Sequence, residues 1–228
     1  MALGNDRLLK KIMERRSARI YAFIGAVITW FAVIVQFYLL MKNNPAPTAL
    51  EKVLRFFGYF TVDTNILVAL SFTFIALNSN SNLARFFRKA STVTAITAYI
   101  IIVGITYNVF LRSTWNPQGL QKLVDELLHS VVPIMYVIFW VAFVFAKQLK
   151  WKNAFPWLIY PIVYMAYAII LGAVTNYYPY PFVNVNELGY NKALLNAALV
   201  LLTLFLLSLA LITTGKIMKN FDGYEEKQ

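Results

Sequence analysis

A chain of 228 residues that is 60 % hydrophobic and 14 % charged, with a mean hydropathy of +0.60, has too little polar surface for a water-soluble globule, and disordered and fibrous classes are excluded too. The lack of cysteine excludes disulfide scaffolds, zinc–thiolate and iron–sulfur centres and cysteine nucleophiles, and a single histidine, His129, excludes sites that need two imidazoles. The 21 Lys and Arg against 10 Asp and Glu give a net charge of +11, which in so apolar a chain reads as membrane orientation rather than nucleic-acid binding.

The first predicted element is a basic tail over residues 1–19, followed by a six-helix transmembrane domain over 20–217 and a short tail over 218–228. Within that domain, six apolar runs are long enough to cross a bilayer core, which takes about 20 helical residues. They are Ile20–Met41, Phe57–Leu77, Ser91–Leu111, Val124–Ala146, Phe155–Thr175 and Ala193–Thr214. Continuous apolar runs favour helices over barrel strands, so the fold class is an all-α polytopic membrane protein. The first run is longer than a signal-peptide core and follows a long basic segment, so it reads as a retained helix.

Counting cations on alternate sides places fifteen of the 21 Lys and Arg with the two tails and the loops after the second and fourth spans. The other six are Lys42, Lys52, Arg55, Arg112, Lys122 and Lys192. Both termini are therefore expected in the cytoplasm, with the basic tail on anionic lipid.

Polar residues gather at one end of the spans. The second opens with Thr61, Asp63, Thr64 and Asn65; the third ends with Thr106, Tyr107, Asn108 and Arg112; the fourth opens with Asp125, Glu126 and His129. The fifth ends at Asn176, and an aromatic loop containing Tyr180 leads into the sixth. The opposite halves, such as Leu67–Leu77 and Tyr136–Ala146, are almost wholly apolar. Polar groups within spans usually face a bundle interior or a wet cavity. The pattern predicts a polar pocket open toward the outer leaflet above a packed apolar floor. Thr61, Thr64 and Asn65 share one helical face, and the Asp125 carboxylate is one turn from His129, where it can hold the imidazole tautomer. Each residue also has a structural reading. A membrane threonine usually bonds its own helix, Asp63 could pair with Arg55 or Arg112, and Pro133 and Pro161 could simply kink helices whose freed carbonyls neighbouring groups take up.

The segment Phe57-Gly-Tyr-Phe-Thr61-Val-Asp-Thr64-Asn65, the segment Leu127-Leu-His129-Ser-Val-Val-Pro133 and the loop Tyr178-Pro-Tyr-Pro181-Phe182 together resemble the membrane threonine hydrolases typified by the androgen-induced-gene protein and the androgen-dependent regulator of tissue factor pathway inhibitor. The six-span bacterial relatives of that family, the Pr-six-Pr proteins, are more similar still. The resemblance implies an intramembrane hydrolase of lipid esters, such as fatty acid esters of hydroxy fatty acids, with Thr61 as nucleophile and His129 as base. The chain departs from the family pattern at Asp63 and at Thr64, a second candidate hydroxyl.

The chemistry is consistent from below. A threonine hydroxyl attacks only when a base takes its proton, and Asp125 is placed to orient that base. Asn65 and Asn108 are candidate oxyanion donors, and Asp63, Thr64, Asn65, Asn108, Asn176 and Tyr180 are the expected substrate-binding set. No metal or cofactor enters this reading, and the expected partner is a membrane lipid or fatty acyl ester rather than nucleic acid. The alternative is a non-catalytic lipid-binding or transport protein with the same pocket, and a structural subunit is a third class.

Overall fold

The computed structural model describes residues 16–144 and 146–218. Most of the basic N-terminal segment (1–15) and all but the first residue of the C-terminal one (219–228) lie outside the described residues. Among the described residues the chain is helical without strands, and six helices are long and apolar enough to cross a membrane. The long helix α1 (Arg16–Asn43) is followed by a short α2 (Ala49–Phe57), α3 (Phe60–Leu77), a short α4 (Asn82–Phe87) and α5 (Ala90–Thr106). After α6 (Gly119–Glu126) and α7 (Val132–Phe143) come a one-turn α8 (Ala154–Trp157), α9 (Ile159–Thr175) and α10 (Val185–Ile217). The third span is α5 extended by a π turn, Tyr107–Leu111, and the fourth is α6 and α7 joined by another, Leu127–Val131.

Local chemistry accounts for the helix ends. Thr48 and Ser81 accept the backbone N–H groups of Glu51 and Ala84 and so cap α2 and α4. Asn78 and Asn176 end α3 and α9 in the left-handed conformation, which asparagine tolerates better than most residues. Gly189 (φ 73, ψ 159) breaks α10 near its start, a backbone geometry available only to glycine at little cost.

The first and second spans pack antiparallel and close. A Cβ on Gly25 would fall 2.6 Å from the Phe72 ring, so glycine is what lets the two backbones approach. Around this pair, four aromatic donors in the apolar half find acceptors on other spans. Trp30 donates to Thr73, Trp140 to Thr94, Trp157 to Ser91 and Tyr136 to Ser71, at 3.1, 2.8, 3.0 and 2.7 Å. With no water in a bilayer core, such pairs satisfy groups that would otherwise be costly.

The two kinking prolines are handled in the same way. Pro133 has no N–H, and in the π turn before it the Val132 N–H reaches back to Leu127 rather than Leu128. The carbonyls of Leu128 and His129 therefore lose their helical donors. The Asn65 amide from the second span donates to Leu128 at 3.2 Å, and the Asn108 amide from the third donates to His129 at 3.1 Å. Pro161 in turn frees the Trp157 carbonyl four residues back, and the Tyr99 hydroxyl donates to it. The expectation that neighbouring groups take up these carbonyls holds at both prolines.

Candidate active site

The bundle holds a cavity of about 810 Å³ that borders all six spans and the loop before the sixth. Thr61 from α3, Asp125 and His129 from the fourth span, and Tyr180 from the loop all line it. The remaining expected site residues sit beside it rather than on its wall. Asn65 is fully buried and spends its amide on the Thr61 and Leu128 carbonyls, at 2.8 and 3.2 Å. Its Oδ1 is buried with no hydrogen-bond partner among the described residues. Thr64 shares a 3.0 Å hydrogen bond with the Tyr160 hydroxyl. Asn108 spans the third and fourth helices, donating to Gly104 and His129 at 2.8 and 3.1 Å. Asn176 faces a separate shallow cleft with Thr48, Glu51 and Arg55. Neither cation proposed for Asp63 reaches it: Arg55 pairs with Glu51 at 2.6 Å, and Arg112 pairs with Glu126.

The fourth span positions the histidine. His129 Nδ1 lies 2.9 Å from the Asp125 backbone oxygen and 3.2 Å from its carboxylate Oδ1. A carbonyl oxygen only accepts, so Nδ1 carries the proton and the neutral ring keeps Nε2 as its basic nitrogen. The Tyr107 hydroxyl donates to the other carboxylate oxygen of Asp125. The Tyr107 ring also stacks on the imidazole, with centroids 4.0 Å apart and planes 16° apart. One tyrosine thus orients both the carboxylate and the base it holds. The two π turns lie against each other, and such bulges are frequent at functional sites because they re-aim side chains that a regular helix would place elsewhere.

The second wall holds the hydroxyl. Thr29, Thr73, Thr97, Thr175, Thr203 and Thr213 each donate to the carbonyl four residues back. Thr61 makes no such bond; its side chain and backbone lie against the Tyr180 phenol. Burial pushes Tyr180 up to about 12, against the opposing effect of Thr61, so it is a neutral donor at physiological pH. Pro179 and Pro181 frame this residue, its ring stacks on Phe182 at 5.2 Å, and the Tyr59 ring meets it edge-on at 6.1 Å. Tyr59 and Tyr177 share a hydroxyl–hydroxyl contact, and the Arg55 guanidinium lies 4.2 Å over the Tyr177 ring. Burial first, then the Tyr59 hydroxyl, hold Tyr177 well above the usual phenol range.

Among the described residues no hydrogen bond joins Thr61 to His129; both border one cavity, on different helices. Also among the described residues, no group of three or more His, Asp or Glu side chains is placed to hold a metal ion. Sequence reasoning missed Tyr107 as the partner of Asp125 and His129. The polar Thr106-Tyr107-Asn108 cluster was the available signal, but a π turn shifts the face each side chain takes. No family model matches this chain, and no curated protein or solved structure is significantly similar to it.

Proposed function

We propose that this protein is an intramembrane hydrolase of lipid esters, with Thr61 as nucleophile and His129 as general base. The observation that carries the reading is the pairing in one cavity of a threonine hydroxyl not spent on its own helix with an imidazole whose Nδ1 is tied to Asp125. The resemblance of the Thr61, His129 and Tyr-Pro-Tyr-Pro segments to the membrane threonine hydrolases supports it independently.

In this mechanism the Thr61 oxygen attacks the ester carbonyl while its proton passes to His129 Nε2. The tetrahedral oxyanion receives a hydrogen bond from the Tyr180 hydroxyl, a role that suits a neutral phenol beside the nucleophile. Collapse breaks the ester C–O bond, and the imidazolium returns its proton to the departing alcohol. Water, deprotonated by the same nitrogen, then attacks the acyl-threonine and releases the acid. Asp125 and Tyr107 hold the ring in one tautomer throughout. Asn65 and Asn108, each already bonded to two carbonyls, serve the architecture in this reading rather than the oxyanion. Substrate binding closes the remaining gap between Thr61 and His129, as catalytic hydrogen bonds often tighten only in the complex.

The cation asymmetry supports an orientation with both termini cytoplasmic and the cavity toward the outer leaflet, and the resemblance to six-span bacterial proteins supports a bacterial cytoplasmic membrane. A second reading, lipid binding without turnover, is favoured by the missing Thr61–His129 hydrogen bond. The deciding experiment is labelling of detergent-purified protein by a fluorophosphonate probe, with mapping of the modified peptide. Labelling at Thr61 that disappears in Thr61→Ala and His129→Ala supports the hydrolase. Bound lipid with no labelling and no ester turnover supports the second reading.

A further inference from the structure

We infer that the lipid this cavity takes carries an uncharged, hydroxyl-bearing headgroup, as an acylglycerol does, and that the Glu51–Arg55 pair keeps anionic lipids out. That the lipid is an ester to be cleaved rests on the hydrolase reading; the selection by charge does not. Among the described residues Arg55 is the one Lys or Arg on the cavity wall, so an entering phosphate or free carboxylate has only that guanidinium to turn to. It is already spent. Its Nε and Nη2 both donate to Glu51 Oε1, at 3.1 and 2.6 Å, and Nη1 donates to Asn44 Oδ1 at 3.3 Å. The Tyr177 ring covers a face of the ion at 4.2 Å. The Arg55 and Glu51 side chains are only 12 % and 18 % exposed, and Glu51 is fixed one turn away on the same helix, where Thr48 accepts its backbone N–H. An incoming anion would have to displace a tethered carboxylate and leave it largely buried without a counter-charge, which is costly.

The rest of the wall points the same way. Its other ionisable pair is Asp125 and His129, and with the imidazole neutral the carboxylate's charge is left to repel a second anion. Arg112, beyond the Tyr107 ring at 5.8 Å, is paired with Glu126. The polar groups still open suit hydroxyls. The Gln121 amide donates to Gln36 at 2.9 Å, tying the fourth span to the first. Whichever way the two amides are turned, one carbonyl and one NH2 remain on the wall with no bond among the described residues. A hydroxyl donates and accepts, so it can answer both, whereas a carboxylate only accepts. Gln121 stands eight residues before His129, about two turns along the wall that holds the base. This separates the substrate from the esters of hydroxy fatty acids that the resemblance implies, since those end in a free carboxylate. Hydrolysis of an acylglycerol breaks the acyl C–O bond with one water, giving a glycerol hydroxyl and a fatty acid that ionises. The reaction thus turns a ligand the wall accepts into one it repels, which favours release of the acid.

The test compares matched ligands in an uncharged detergent. Binding is measured for hexadecyl glycerol ether against its phosphate monoester, and hydrolysis for hexadecanoyl glycerol against hexadecanoyl glycerol phosphate. An ether needs no catalysis to bind. The neutral ether is expected to bind at least about tenfold more tightly, and the neutral ester to be preferred in kcat/KM by a similar factor, because a like charge or an unanswered one in such a site costs at least that much. Glu51→Gln keeps the shape of the side chain and frees the guanidinium, so the neutral-to-anionic ratio should fall at least about tenfold; the double variant Glu51→Gln, Arg55→Gln should restore it. Binding of neither ether, a wild-type preference for the phosphate, or a ratio that folded Glu51→Gln leaves unmoved overturns the inference. The wild-type comparison needs no variant, so it decides even where Glu51→Gln does not fold. Preference for the neutral ether with no hydrolysis of either ester leaves the selection standing and removes the hydrolase. Hydrolysis of both esters at equal rates does the reverse.

Discussion

Thr29, Thr73 and Thr97 return their hydroxyls to their own helices, whereas Thr61 lies against Tyr180 and lines the same cavity as His129. That difference sets the first expectation. Thr61→Ala and His129→Ala should each lower ester turnover by on the order of 10³-fold or more, and the double variant little further, because paired catalytic groups fail as a unit. Thr64→Ala should be milder, since its hydroxyl is bonded to Tyr160 at 3.0 Å. Asp125→Asn should fold yet slow turnover, since the backbone oxygen still holds the Nδ1 proton but the carboxylate that stabilises the imidazolium is gone. Rate measurements on a lipid ester series, with folding checked by thermal melting in detergent, decide this.

The prolines make the fourth and fifth spans what they are. At Pro161 the freed Trp157 carbonyl is bonded by Tyr99, which gives a coupling experiment. Tyr99→Phe should destabilise the protein by about 1–3 kcal/mol, since it leaves a buried carbonyl without a donor. In a Pro161→Ala background the restored N–H supplies that donor, and Tyr99→Phe should cost distinctly less. Equal costs in the two backgrounds would falsify the compensation. At Pro133 the consequence is functional. Pro133→Ala offers an N–H to the carbonyls that Asn65 and Asn108 now hold, and it should draw the π turn toward regular helix and turn His129 off the cavity. Probe labelling at Thr61 should fall while the thermal midpoint holds or rises.

The six spans close around one cavity because close packing on one side leaves space on the other. The first and second helices meet at Gly25, where any Cβ would strike Phe72 at 2.6 Å. Gly25→Val should therefore force them apart and lower the melting temperature, an overpacking cost of about 1–3 kcal/mol. The bundle's direction across the membrane is a separate matter, set by charge. Reporter fusions at the two tails should both give cytoplasmic signals, following the fifteen-to-six cation asymmetry. A periplasmic signal from either would reverse the orientation while leaving the helices as they are.

Much of this was legible in the chain itself. Apolar runs longer than a bilayer core, with no alternation, specify six spanning helices, because lipid leaves the backbone no other way to satisfy its hydrogen bonds. The i, i+4 spacing of Asp125 and His129 likewise foretold their contact, which Tyr107 from the third span then orients. What the chain could not convey is how residues on different helices share out donors. Asn65 and Asn108 read as free amides at a polar end, and tertiary packing spends them on the carbonyls that Pro133 orphans. Asp63 read as a partner for Arg55 or Arg112, but each cation reaches a nearer carboxylate, Glu51 or Glu126. None of the described residues in the expected floor segments Leu67–Leu77 and Tyr136–Ala146 lines the cavity, whereas Ile102, Met165 and Val200 look like any core residues in sequence and line open space in the fold. Hydrophobicity decides that a residue leaves water; only the relative placement of the helices decides whether another side chain or the cavity lies beside it.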